Sequence, residues 1–278
     1  MKKYVYLTVT FHIAYLSRKG DLSKVEVEAE KSRLSLHKRI AQCEEYDKCV
    51  AIATSVRKDI REKWGFPTVV LRDGVYIIPI ELVEEVKEYI EEKKAEFNSW
   101  RDRFIKKYTR LIEEDRVRLG ILFSESDYPS PEEMARKFYV YYRFFEINDL
   151  PIGLEEERQK ELEEEYKQLQ YFLRKGMLEI FQTVLNCLGT TPSGRKGGIK
   201  EKTFERLCFL LDVFGKRNIT EDKELADIVD KMKAIFEGKS LADVQDHGFH
   251  GRIQEEVANL VRKTKRLVEE SERCITLD

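Results

Sequence analysis

Between Ile80 and Gly120 the chain contains neither proline nor glycine, and no other feature of the sequence limits its fold as much. Apolar residues recur in that stretch at Val86, Ile90, Phe97, Trp100, Phe104, Tyr108 and Leu111, a spacing that puts all of them on one helical face. Glu81, Glu84, Glu85 and Glu88 stand in the first turns and Arg110, Arg116 and Arg118 in the last, the charge order that a helix dipole favours. Glu81 to Leu119 is about 39 residues, which at ~1.5 Å per residue makes a rod of roughly 58 Å. Helices within proteins are held mainly by packing of an amphipathic face, so a rod of this length calls for other helices along its stripe.

The rest of the composition agrees. Charged residues make up 37% of the 278, well above the roughly 25% of ordinary domains. Lys, Glu and Arg dominate, as suits long solvated helices and also a thermophilic source with surface ion-pair networks. Net charge is only -2, so a global field does not draw the protein to nucleic acid or acidic lipid, and such binding would need a local patch. Five scattered cysteines without a CxxC spacing read as reduced residues of an intracellular protein. The N-terminal MKKYVYLTVTFHIAYL alternates polar and apolar residues and lacks a small-residue cleavage site. It reads as a strand rather than a signal peptide, and with no membrane-spanning stretch the expected location is cytoplasmic.

In that strand, Val5, Leu7, Val9, Phe11 and Ile13 share one face, and Tyr4, Tyr6, Thr8, Thr10 and His12 share the other. The charged stretch from Asp21 to Ile40 reads as mostly helical. Glu44 to Trp64 is a helix with the stripe Tyr46, Cys49, Ala53, Val56 and Ile60, ended by Gly65. A β-hairpin follows, Val69 to Leu71 and Val75 to Ile78, turned at Asp73-Gly74. The second strong strand is Phe138 to Ile147. The rod carries the chain far from the hairpin, and the ~17 residues after Gly120 return that distance only if nearly extended, at ~3.3 Å each. That reach places strands 4–15 and 138–147 together at one end of the bundle and the hairpin at the other.

A third long helix, about Leu154 to Leu188, has the stripe Leu162, Tyr166, Leu169, Leu173, Ile180 and Val184. Its acidic start complements the rod's Arg101, Arg103, Lys106, Lys107 and Arg110 if the two run antiparallel. The glycine-rich basic loop Gly189 to Gly198 breaks the chain, dividing residues 1–189, a bundle with small β elements, from a helical region at 200–278. In that region helices are expected near Lys200 to Phe214, Glu221 to Phe236, with Thr220 as N-cap, and Arg252 to Glu272. The fold class is therefore mainly α with some β: a long antiparallel bundle, a β-hairpin and a small antiparallel sheet.

The segments KWGFPTVVLRDGVYIIPIELVEEV, FYVYYRFFEI and KTFERLCFLLDVFGKRNITEDKELADIVDKM together resemble a family of unassigned function found in phages and plasmids, whose members tend to be encoded near MoxR-type AAA ATPases. The resemblance covers most of the chain. Gly65, Gly74 and Pro79 match the family's pattern, whereas the Gly189 to Gly198 loop is peculiar to this sequence. An accessory protein working with an AAA-type ATPase is what the resemblance implies; it assigns no catalytic residue and no cofactor.

Catalytic constellations fail on inspection. The loop GTTPSGRKGG approaches a phosphate-binding P-loop, but Arg195 intervenes before Lys196, Gly197 follows, and a helix rather than a strand precedes it. Arg195 and Lys196 remain candidates for phosphate contact. His247 and His250, three apart and near Asp243 and Asp246, lack a third fixed ligand, and no metal is expected. Two binding readings are left. The preferred one is a non-enzymatic adaptor that docks another protein, with the glycine-rich loop as a joint. The alternative is single-stranded nucleic-acid binding through a stacking platform of Tyr4, Tyr6, Tyr139, Tyr141 and Arg143, flanked by the rod's Arg103, Lys106 and Arg110.

Overall fold

Strand β1 (Tyr4–His12) keeps the alternation its sequence dictates, burying Val5, Leu7, Val9 and Phe11. The structure is a computed structural model that describes residues 3–25, 36–68, 74–146, 155–189 and 198–276. After β1 come β2 (Ser17–Lys19) and β3 (His37–Arg39), an antiparallel pair with Arg18 opposite Lys38. This corrects the mostly helical reading of 21–40 at its far end, where β3 stands, whereas its start does make a short 3-10 turn, Leu22–Lys24. The Gly20 N–H donates to the Leu36 carbonyl at 2.7 Å, and such non-local pairing overrides a weak local helical pattern.

Helix α1 (Glu44–Asp59) runs on into a π turn, Ile60–Trp64, closed by the Gly65 N–H donating to the Ile60 carbonyl at 2.7 Å. A Cβ on Gly65 would stand 2.5 Å from Ile78 Cδ1 and 3.0 Å from the Ile77 carbonyl, so only glycine lets the turn approach so closely. The chain then forms β4 (Phe66–Pro67) and β5 (Val75–Pro79), antiparallel, with Phe66 opposite Ile77. Gly74 takes the positive φ of 88° that its turn position favours. The expected strand Val69 to Leu71 lies outside the described residues. The rod is α2 (Val83–Leu119), and a short helix, α3 (Pro131–Arg136), carries a Ser130/Glu133 capping box with Pro131 at its first position.

Strand β6 (Tyr139–Phe145) precedes α4 (Glu155–Leu188). Four helices complete the described chain: α5 (Glu201–Arg217), α6 (Lys223–Phe236), α7 (Leu241–Gln245) and α8 (His247–Thr276). The N-cap of α6 is Asp222, whose side chain accepts from the Leu225 N–H at 3.1 Å. Thr220, expected in that role, is buried two residues upstream and its carbonyl accepts from Tyr166 Oη at 3.0 Å.

The fold class is as expected, mainly α with a small antiparallel sheet and a two-stranded hairpin. One placement within it is corrected. The sheet order is β4-β5-β1-β6, so the strand that follows Gly74 joins the sheet of β1 and β6 instead of standing at the opposite end. Residues 138–145 run along the rod, so their start need not reach the far end. Phe138 packs beside Phe97 and Phe104, ring centroids 6.3 and 5.4 Å away, so the chain need only return about 24–35 Å along the rod from Gly120. Strand β6 covers the remainder itself, reaching Glu91 at Tyr142.

Two compact units divide the chain, one of residues 1–7, 59–84 and 144–278, the other of 8–58 and 85–143, so β1 and β6 each contribute to both. In the first unit α4 packs on α8, α5 and β4 around a core that includes Leu173, Phe181, Leu207, Met232, Val257 and Leu260. Partners step from Glu272 back to Leu267 as α4 advances from Tyr171 to Arg174, and α8 ends soon after at Thr276. Only an antiparallel course lets the two long helices stay together. Thus the antiparallel partner of α4 is α8, where the charge pattern suggested the rod. In the second unit the rod buries Val86, Ile90, Phe97, Phe104, Tyr108 and Leu111 as its spacing requires. Phe11, Tyr46 and Phe138 supply the facing rings. Among the described residues no helix is long and apolar enough to cross a membrane.

Candidate functional site

Alternation along β6 decides what the sheet offers to a partner. Its even residues turn toward the rod: Tyr142 Oη donates to Glu91 at 2.7 Å while Lys94 Nζ lies 5.8 Å from the Tyr142 ring centre. These two neighbours, Tyr142 first, hold the Glu91 carboxyl below the usual carboxylate range. The odd residues turn the other way, and there Tyr139 is 49% exposed, Tyr141 51% exposed, and Arg143 exposed. His12 stacks on Tyr139 with centroids 4.7 Å apart and planes 5° from parallel. The His12 ring is itself fixed, its Nδ1 donating to the Lys137 carbonyl at 2.7 Å. Two half-open tyrosines and an arginine thus line up on the last strand of the sheet, whose outer edge pairs with no strand among the described residues.

Tyr4 and Tyr6 belong to a different arrangement. Tyr6 is buried and Tyr4 half-buried, and both hydroxyls donate to the buried carboxylate of Glu165 on α4, Tyr4 at 2.9 Å and Tyr6 at 3.0 Å. Burial, and then the charge of Glu165, push the Tyr4 hydroxyl well above its ordinary pKa. The Tyr6 ring also stacks on Phe145, 5.5 Å between centroids. Neither ring is open for stacking a base. Hydrogen bonds to a charged group are worth about 1.5–3 kcal/mol each, so Tyr6→Phe is expected to lower stability by that amount. A chemical-denaturation midpoint unchanged by Tyr6→Phe would show that Glu165 finds another donor.

The rod's basic residues are exposed, yet they do not flank this face. Phe11 packs on Phe97, and Phe138 on Phe97 and Phe104, so the rod lies against the opposite side of β1 and β6. Arg103 covers the Trp100 ring at 4.6 Å, and Arg110 Nε pairs with Glu114 at 3.1 Å; Lys106 is exposed. Arg195, Lys196 and the side chain of His247 lie outside the described residues. His250 is buried, its Nε2 donating to the Val244 carbonyl at 2.7 Å, which makes it part of the packing between α7 and α8. Among the described residues no group of three or more His, Cys, Asp and Glu is placed to hold a metal. Burial pushes the Cys49 thiol up to about 12, a direction opposite to that of an activated nucleophile.

No protein-family model, no curated protein and no solved structure matches the chain. Its own side chains therefore nominate the sites, and one of them sequence reasoning missed. Arg217, in the last turn of α5, is buried to 7% exposure. It donates to the carbonyls of Glu62 at 3.0 Å and Gly65 at 3.3 Å, at the end of the π turn, and lies 4.9 Å over the Phe66 ring. Among the described residues no carboxylate pairs with it, and its Nε–H donates to nothing. Burial, with Arg206 adding to it, lowers its pKa to about 10, so it stays charged at neutral pH. An unpaired buried cation costs several kcal/mol that carbonyl bonds and a ring face offset only in part. Its sequence signal was faint, because the expected end of α5 at Phe214 left Arg217 in a loop.

Proposed function

We propose that the chain is a non-enzymatic accessory protein that docks a protein partner on the open face and outer edge of β6. The observation that supports this is the exposure of Tyr139, Tyr141 and Arg143 on the last strand of the sheet, since aromatic and arginine side chains are the usual anchors of an interface. A MoxR-type AAA ATPase is the partner that the family resemblance implies. The test is capture from the native host with the tagged chain, in parallel with Tyr141→Ala/Arg143→Ala. An AAA-type ATPase recovered with the native sequence and lost with the double variant is the expected result. Equal recovery with both would place docking elsewhere.

The same two rings favour a second reading, single-stranded nucleic acid stacked on Tyr139 and Tyr141 with Arg143 on a phosphate. Each stacked base is worth about 1–3 kcal/mol, and phosphate contacts make affinity fall steeply with salt. Fluorescence anisotropy with a labelled oligonucleotide at low and moderate salt separates the readings. The docking reading expects no binding at low salt; micromolar binding that Tyr141→Ala abolishes would replace it.

A further inference from the structure

We propose that the cavity lined by Arg217 is a binding site for a small organic phosphate, a dianion carried on a flat apolar body. The cavity, about 310 Å³, lies among the π turn, β4, α4 and α5, at the lower end of the range for small-molecule sites. Its charged lining is Arg61, Lys175, Arg206 and Arg217 against Glu62 and Glu179, a surplus of two positive charges. Glu62 is already engaged with Arg206, Oε2 to Nη2 at 3.4 Å, and Arg217 is buried without a carboxylate partner among the described residues. The missing counter-charge is supplied by a dianionic ligand. Arginine suits it because the guanidinium presents several N–H donors to phosphate oxygens in a fixed plane.

Two further features define the ligand. Phe66, Phe172 and Leu210 give the cavity an apolar wall, and Arg217 lies over the Phe66 ring, so a planar group beside the phosphate meets a matching surface. Gly176 also lines the cavity, in mid-course of the 34-residue helix α4, and a Cβ built on it would meet no atom within 4 Å apart from its chain neighbours and the helix's own backbone. Packing thus does not require glycine there, and helix propensity disfavours it. What its missing side chain preserves is open volume.

The test uses the full chain and three probes, inorganic phosphate, phenyl phosphate and benzoate, by calorimetric titration. Phenyl phosphate is expected to bind more tightly than either of the others, since it alone joins the dianion to the ring. Gly176→Leu fills the cavity and is expected to keep the melting temperature while weakening phenyl phosphate by about tenfold or more. Arg206→Gln, on an exposed side chain, is expected to weaken it about fivefold or more, whereas Arg266→Gln on α8, away from the cavity, leaves it unchanged. Failure of phenyl phosphate to bind at millimolar concentration overturns the proposal. So does an affinity that Gly176→Leu leaves intact, or one that Arg266→Gln lowers as much as Arg206→Gln does.

Discussion

Arg174→Ala is expected to destabilise the unit containing α4 by about 3–5 kcal/mol, the cost of stranding one member of a buried ion pair. Arg174 Nε donates to Asp222 Oδ2 at 2.6 Å, with only 10% and 2% of the two side chains exposed. The same guanidinium donates from Nη1 to the Leu267 carbonyl and to Ser271 Oγ, both at 3.0 Å. One side chain on α4 therefore fastens the start of α6 and the last turns of α8. Asp222 also caps α6 through the Leu225 N–H, so its carboxylate remains in place after truncation, buried and short of its cation. The helix N-terminus returns only a part, about 0.3–1 kcal/mol. If desolvated charge is the cause, the double variant Arg174→Met/Asp222→Asn should cost clearly less than the sum of its single changes. Urea unfolding monitored by far-UV circular dichroism measures this, and a loss below about 1 kcal/mol for Arg174→Ala would show that the pair contributes little.

Spacing made the apolar parts of the fold legible, and the buried polar residues mark where it failed. The rod stripe continues past Leu111 to Asp115, four residues on, and Asp115 is 4% exposed. It accepts from the Ala41 N–H at 2.6 Å, where Ala41 holds a positive φ of 47°, and from Tyr128 Oη at 2.9 Å. A carboxylate in register with an apolar stripe was a usable signal, since such a group is buried only when donors meet it. Glu165, four residues before Leu169 on the stripe of α4, carried the same signal for its two tyrosines. The farthest of these donors, Ala41 and Tyr4, lie 74 and 161 residues away in the chain, and no local pattern names them. Of the aromatic platform, alternation correctly separated the odd from the even residues of β6, but whether a helix covers a sheet face depends on packing, and α4 removed Tyr4 and Tyr6 from the open part. Arg217 escaped because its meaning comes from what surrounds it, a cavity wall assembled from four elements.

Phe104→Ala is expected to cost about 3–5 kcal/mol and Trp100→Ala only about 1–2 kcal/mol, although both stand on the stripe that spacing alone treats as uniform. Phe104 is fully buried among three rings, Phe138 at 5.4 Å, Tyr108 at 5.6 Å and Tyr46 at 6.1 Å between centroids. Truncating it leaves a cavity among these rings. Trp100 is half-buried at the margin of the stripe, with Lys48 Nζ 5.9 Å and Arg103 4.6 Å from its ring centre. Its loss removes partly solvated apolar area and two cation contacts, worth about 0.5–1 kcal/mol each at exposed sites, and opens no enclosed void. Thermal unfolding of the two variants side by side provides the check. At about 2–4 °C per kcal/mol for a chain of this size, Phe104→Ala should melt well below Trp100→Ala. Equal shifts would mean that the Trp100 ring is enclosed as fully as Phe104, and its two cations would then be neighbours of a core residue instead of the cover of a surface one.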